Sequence, residues 1–327
     1  MHRVAIIRGD GIGPEITVAT QCVLEATGLR FEWVEAPMGR DGREWLGADL
    51  PVPSLATVRE IGVAIKAPLL AERLSGGVVV NGRCYPSVNN GLRRELGAYV
   101  NLRPIHGWEG VSGAYCDLNV VIAREVTEDT YIGIERRVDA DTGEAIKRIT
   151  RGATRRVAEF ACEYALRHGR RRITAVHKAN VLHCTDGLFL ETAREVVAGY
   201  PELEFDDRMV DATCYLLVKQ PSLFDVMVLP NQYGDIISDL VAGLVGSLGL
   251  APGANFGLRP EDPTIAELLI LSGAMLLDHL DEDEAAERVR RGVAAVLRDR
   301  RALTPDLGGS GSTDSLTGAI CREVAGG

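Results

Sequence analysis

The chain has 327 residues, 46% hydrophobic and 25% charged, a globular balance that excludes disorder, collagen and coiled coil. At about 150 residues per domain it holds two domains. Lys and Arg number 36 against 46 Asp and Glu, a net charge of −10 with no basic run, which makes nucleic acid and an anionic membrane surface poor partners.

In chain order, the apolar run 4–7 reads as a strand and is too short for a signal-peptide core or a membrane span. GDGIGPE (9–15) then turns the chain into a helix through about residue 26, with Pro14 at its first position, where a missing N–H costs nothing. The glycines are spaced GxGxGP, not GxGxxG, and no acidic residue closes a second strand in the usual place. They therefore read as a tight strand-to-helix turn and not as a dinucleotide fingerprint. Further strands are predicted at 31–35, 63–66, 118–123, 173–177 and 226–229. Helices are predicted at 152–168, 186–198, 211–219, 235–245, 264–280 and 284–298. This alternation implies an α/β fold with a substantial parallel sheet. One segment departs from it: 131–134, RRVDADTGEA and 146–149 read as a hairpin around an Asp-Thr-Gly turn, charged enough to project from the body. Without Pro/Ser linkers, the two domains are expected to be interwoven. The seven cysteines form no CxxC pair, so a disulfide framework or zinc site is not expected, and a reducing cytoplasm fits best.

Arg93 and Arg103 stand ten residues apart, and Arg124 ends the apolar run DLNVVIA. Each lies at the edge of an apolar run next to a turn or proline. That leaves two readings: solvated surface, or guanidinium forks for carboxylates at the strand ends of an α/β sheet. Asp235 and Asp239 share a helix face at i,i+4. They read either as acids complementing a helix dipole or, with Asp211 as a third ligand, as a Mg²⁺ or Mn²⁺ site. Lys178, after a buried strand, is either a snorkelling surface group or a base.

Seven blocks carry a resemblance: GDGIGPEIT (9–17), AIKAP (64–68), SVNNGLRRELGAYVNLRP (87–104), AREVTEDTYIGIE (123–135), VHKANVLHCTDGLFLE (176–191), NQYGDIISDLVAGLVGSLGLAPGANFG (231–257) and TPDLGGSGST (304–313). In this order, over nearly the whole chain, the sequence resembles the β-decarboxylating dehydrogenases, which act on isocitrate, homoisocitrate, isopropylmalate or tartrate. The resemblance implies an isocitrate/isopropylmalate dehydrogenase-like α/β fold that is not a Rossmann fold. It implies two interwoven domains, 1–98 plus 246–327 and 99–245, with a dimerisation hairpin at about 131–150. It further implies a homodimer with a shared active site, taking a small polycarboxylate. Arg93, Arg103 and Arg124 would hold the malate-like part of the substrate. Tyr131 would protonate the enol, and Lys178, offered by a partner subunit, would handle the hydroxyl proton. Asp211 from the partner, with Asp235 and Asp239, would bind Mg²⁺ or Mn²⁺. Ser87 and Asn89 stand where isocitrate enzymes carry them and suit an anionic third arm of the substrate. Arg83, upstream, reads as surface or as an added cation.

Two departures from the family stand out. The stretch after Lys66 reads Ala67-Pro68-Leu69-Leu70-Ala71, without the family's threonine pair. The loop that holds the adenosine half of the cofactor is missing, so that Gly257 runs through LRPED to Pro263-Thr264. Three functions stay open at this point: oxidative decarboxylation of a 2-hydroxy-3-carboxy acid with NAD, a redox-neutral metal-dependent decarboxylase or lyase, and a non-catalytic partner subunit. The first is the expectation carried forward, with no residue assigned to the cofactor.

Overall fold

The structure, a computed structural model, describes residues 1–70, 77–259, 262–267, 270–300 and 302–326. The chain divides into two compact units. One comprises Met1–Gly97, His106–Asp117 and Ala242–Gly327, and the other Ala98–Ile105 and Leu118–Val241. The 106–117 segment, expected in the middle domain, therefore groups with the two ends of the chain. One reason is its backbone: Ala114 N–H donates to the Leu244 carbonyl at 2.8 Å.

In the first unit the strands run in the order Gly253–Gly257, Thr264–Glu267, Val63–Lys66, His2–Ile7, Phe31–Glu35. The first pair is antiparallel and the rest are parallel. Neighbouring residues on a strand point to opposite faces. Accordingly Val4, Ile65 and Ala266 pack with the helices Gly13–Glu25, Ile270–His279, Asp283–Arg298 and Thr313–Gly326. Ala5, Ile7, Ala64 and Ile265 pack on the other side with Val52–Ile61 and Val88–Glu95. Strands covered on both faces read as unbroken apolar runs, which is why 4–7 and 63–66 were legible as strands. The glycine turn is a packing device: a Cβ on Gly9 would come within 2.3 Å of the Pro68 carbonyl. Asp10, within that turn, accepts the N–H groups of Arg40 at 2.9 Å and Leu70 at 2.8 Å.

In the second unit the order is Glu204–Met209, Arg172–His177, Val226–Leu229, Asn119–Glu125, Ala98–His106. Its first four strands are parallel. The helices Arg151–Arg167 and Asp186–Val197 bury small and apolar faces through Val157, Ala161, Phe189 and Ala193.

Three expectations need correction. The predicted helix 264–280 is a strand, Thr264–Glu267, followed by a helix, Ile270–His279. Parallel pairing of Thr264–Ala266 with Val63–Ile65 overrides the helical periodicity of the segment. The hairpin exists, but its strands are Glu135–Arg137 and Gly143–Ala145, fully exposed. Tyr131 lies before it in a 3₁₀ turn, Asp129–Ile132, bracketed by left-handed residues Asp129 (φ +73°) and Gly133 (φ +71°). The helix carrying Asp235 begins at Asn231, so that carboxylate stands beyond the first turn and is not one that caps the helix dipole. Among the described residues, no helix is long and apolar enough to cross a membrane.

Candidate active site

Arg124 is 1% exposed near the C-terminal end of its strand. A buried guanidinium must have its charge and its donors met. Here Asn231 Oδ1 accepts from Nε at 3.1 Å and from Nη2 at 2.8 Å, and Nη1 donates to Asp235. The helix can lie this close because position 234 is glycine: a Cβ there would stand 2.5 Å from Arg124 Cγ. Tyr131 completes the group. Its hydroxyl donates to Asp235 Oδ2 at 2.6 Å, and its ring lies 5.5 Å from the guanidinium carbon of Arg124. Burial and the Asp235 carboxylate push the Tyr131 hydroxyl up to about 12, so it keeps its proton at neutral pH and can deliver it. The sequence signals had pointed to Arg124, Tyr131 and Asp235 separately, and the structure joins them. It adds Asn231, which opens the quoted block 231–257 directly after a buried strand and proline but was given no role there.

Lys178 and Asp211 form a second pair in the same unit. Lys178 Nζ lies 2.7 Å from Asp211 Oδ1, and this contact holds the exposed Asp211 carboxyl below its ordinary range. Asp211 opens the helix Val210–Lys219, while Lys178 follows the strand Arg172–His177. The expected metal triad is thus not assembled within one chain. Asp235 and Asp239 share a helix, Asp211 stands with Lys178, and among the described residues no three acidic, His or Cys side chains gather as a metal site. The donor set nevertheless suits Mg²⁺ or Mn²⁺, since carboxylate oxygens are the ligands a hard cation takes.

The first unit holds Ser87, Asn89 and Arg93 on or beside the helix Val88–Glu95. Ser87 is its N-cap: its hydroxyl oxygen accepts Asn90 N–H at 3.2 Å, leaving its O–H as a donor. Asn89 is committed at both ends, donating to the Leu69 carbonyl at 3.1 Å and accepting from the buried Lys66 Nζ at 3.2 Å. Its role in the fold is therefore to fix Lys66 beside the helix N-terminus. Arg93 donates through Nε to Asn255 at 3.1 Å and through Nη2 to Glu267 at 3.0 Å. Asn255 Nδ2 in turn donates to Glu267 at 3.1 Å. This pre-set orientation comes from the hairpin strands Gly253–Gly257 and Thr264–Glu267, which the sequence reading missed. In the second unit, Arg103 Nε donates to the fully buried Asn101 at 2.9 Å. Arg83 sits exposed on a short strand, Arg83–Tyr85, as its surface reading has it.

For a nicotinamide cofactor, the decisive feature is a chain length. The stretch 257–263, where the shortening is expected, joins two antiparallel strands, with Asp262 accepting Arg259 N–H at 3.0 Å, and 260 and 261 lie outside the described residues. Two further residues, also outside the described set, separate the strand ending at Glu267 from the helix beginning at Ile270. Three Cα steps of about 3.8 Å each connect the elements and cannot also wrap a nucleotide. The described residues thus give the adenosine half of NAD no enclosing loop at this point. Of the threonine-free stretch after Lys66, Ala71 lies outside the described residues.

Comparison with known proteins gives a uniform result. The family model for isocitrate/isopropylmalate dehydrogenase matches residues 3–320. A mitochondrial NAD isocitrate dehydrogenase catalytic subunit (subunit 5) of Arabidopsis thaliana is 41% identical, over 97% of this chain and 87% of its own length. The human mitochondrial NAD isocitrate dehydrogenase subunit alpha is 36% identical, over 99% of this chain and 91% of its own. The crystal structure of isocitrate dehydrogenase from Methylococcus capsulatus superposes with a TM-score of 0.91 at 40% identity, covering 99% of this chain and 100% of that one.

Proposed function

The chain belongs to the isocitrate/isopropylmalate dehydrogenase family, and from that membership we propose that it is an enzyme oxidatively decarboxylating isocitrate, with NAD as oxidant and a divalent cation, Mg²⁺ or Mn²⁺. The observation that carries the reading is the joined group of a buried arginine, a carboxylate and a protonated tyrosine, Arg124–Asp235–Tyr131. When bound, NAD would supply the two-electron oxidant for the hydroxyl carbon, and a divalent cation, which Asp235, Asp239 and the partner's Asp211 would hold, would supply Lewis-acid stabilisation. The chain's own residues bind and move protons. Arg93, Arg103 and Arg124 supply forked donors for substrate carboxylates. Ser87 keeps a free O–H for the third arm. Lys178 would handle the hydroxyl proton, taking it as the neutral amine. Loss of CO₂ leaves an enolate carbon, to which the Tyr131 hydroxyl delivers its proton. Mixing enzyme, isocitrate, Mn²⁺ and NAD should give NADH and CO₂ in equal amounts, and CO₂ from an oxo-acid without NADH from isocitrate would overturn the reading.

The assembly we infer is a two-fold homodimer with a shared active site, supported by the separation of Asp211 and Lys178 from Asp235 in one chain and by the exposed hairpin. Closed two-fold symmetry is the usual outcome for such contacts. An Asp211→Asn variant and an Asp235→Asn variant, each inactive alone, should regain activity when unfolded and refolded together, because half of their mixed sites carry neither change. No regain in mixed dimers, or an active monomer in sedimentation, would refute the shared site. A reducing compartment, the cytoplasm, is supported by the seven unpaired cysteines, and its direct test is localisation of a tagged chain.

The short strand-to-helix connection has a consequence for the cofactor. With no loop to read the adenosine ribose, both NAD and NADP should bind weakly and with little preference. Calorimetry with Mg²⁺ and a non-reacting substrate analogue present measures this. Tight binding with strong preference for one of them would show that the adenosine half is enclosed elsewhere.

A further inference from the structure

Directly before Lys178 stands a buried imidazole that the reaction does not use. His177 ends the strand Arg172–His177 and is 5% exposed. Both of its ring nitrogens are engaged. Ala179 N–H donates to Nδ1 at 3.0 Å, and Nε2 lies 3.1 Å from Asp207 Oδ2. A backbone N–H can only donate, so Nδ1 is the lone-pair nitrogen and Nε2 carries the proton, which it donates to Asp207. Asp207 sits on the neighbouring parallel strand, Glu204–Met209, and its Oδ1 accepts from Arg194 at 3.1 Å. The backbone of Lys178 is held from two further directions. Its N–H donates to Asp186 Oδ2 at 2.7 Å, and its carbonyl accepts Val181 N–H at 3.0 Å and Leu182 N–H at 2.9 Å. His177 supplies the acceptor for the next amide along.

We propose that His177 is a positioning residue for Lys178: its Nδ1, kept free of a proton by the Nε2–H contact with Asp207, holds the turn at Ala179 and so aims the Lys178 side chain at Asp211. The proposal rests on the role given above to Lys178. Lys178 and Asp211 come from the same chain and, in the dimer inferred above, enter the same site. Their spacing within one chain is therefore a spacing within one reaction centre. At the tips they meet as Nζ to Oδ1 at 2.7 Å. At the backbone His177 ties the turn after Lys178 to Asp207, on the strand that runs into the helix carrying Asp211. A lysine stem has many rotamers, so its ammonium stays aimed only while the backbone that carries it is fixed. Without the Nδ1 acceptor the Ala179 amide loses its hydrogen bond, and the turn loses the reason to keep its shape.

Two amide side chains divide the imidazole between them. His177→Asn puts its amide oxygen where Nδ1 stands and keeps an acceptor for Ala179 N–H, without the reach to Asp207. His177→Gln puts its amide nitrogen where Nε2 stands and keeps a donor for Asp207, without the acceptor at Ala179. His177→Gln should lower kcat by roughly 10–100-fold, as a small misplacement of a reacting group does, while the KM for isocitrate changes less than about threefold, because no contact to a substrate carboxylate is lost. His177→Asn should stay within about fivefold of the original kcat. A general loss of packing would not spare the smaller Asn. Amide hydrogen exchange gives a readout that does not depend on activity: it should speed up across 178–182 in the Gln variant and not in the Asn variant. The unaltered protein carries the test even if the Gln variant does not fold. With ¹⁵N-labelled histidine at about pH 8, where an ordinary histidine is neutral, the ring signals of His177, assigned through its own backbone, should be those of the Nε2–H tautomer. Near-normal kcat in the Gln variant, an Asn variant as slow as the Gln one, unchanged exchange in the Gln variant, or a proton on Nδ1 would overturn the proposal. Absence of NADH formation by the unaltered protein would instead overturn the assigned reaction, with the tautomer and the exchange result still deciding the tie.

Discussion

Arg124→Lys is expected to lower kcat/KM by roughly 100-fold, from a loss of about 2–4 kcal/mol in transition-state stabilisation. The lysine keeps the charge and loses the fork. In the native site Nε and Nη2 both donate to Asn231 Oδ1 while Nη1 reaches Asp235. A lysine ammonium presents its three donors from one point and does not reproduce the spread of Nε, Nη1 and Nη2 toward the two acceptors. The contacts to Asn231 and Asp235 are therefore expected to weaken. The change is thus felt beyond the substrate carboxylate: the Tyr131 hydroxyl shares Asp235 with Arg124, and its aim depends on where that carboxylate sits. Steady-state kinetics over isocitrate and Mn²⁺ concentrations separate these effects, with kcat and KM both expected to worsen. A lysine variant within about threefold of the original would show that the bidentate geometry contributes nothing to the reaction.

Asp235→Asn carries the second large effect, and it acts on binding and on folding. With Asp235 as the proposed metal ligand, its loss should weaken Mn²⁺ binding by more than the ~10–100-fold typical of losing a group that only orients a ligand. The contact with Arg124 adds a cost that the sequence alone does not show. Arg124 is 1% exposed, whereas the Asp235 side chain is 40% exposed. Removing the carboxylate leaves the buried guanidinium with the neutral Asn231 as its remaining partner in this group. A buried charge deprived of its partner destabilises by several kcal/mol. The exposure of Asp235 lets water take up part of the loss, so about 1–3 kcal/mol is expected. Urea unfolding without metal measures this contribution, and Mn²⁺ titration measures the other. Unchanged Mn²⁺ affinity would remove Asp235 from the ligand set, and unchanged stability would show that Asn231 and solvent suffice for Arg124.

The sequence by itself determined the fold class and pointed to the candidate site residues. Strands at 4–7, 63–66, 173–177 and 226–229 were legible because a strand buried on both faces is apolar at most positions, a pattern visible in four or five residues. Residues such as Tyr131, Lys178 and the arginines stood inside long motifs whose family resemblance carries their roles. Only the tertiary structure decided what those groups touch. The 264–267 segment has an apolar pattern that suits helix or strand, and the choice was made by the free edge of the Val63–Lys66 strand beside it. The pairing of Asp235 with Arg124 and Tyr131 joins residues more than one hundred positions apart, as does the holding of Arg93 by Asn255 and Glu267. Lys147 gave no motif at all: a lysine between isoleucines in a charged hairpin reads as solvent-facing. Its Nζ is buried because two carboxylates, Asp186 and Asp129, which local sequence cannot place side by side, meet there, and a low-dielectric interior does not hold them without a cation.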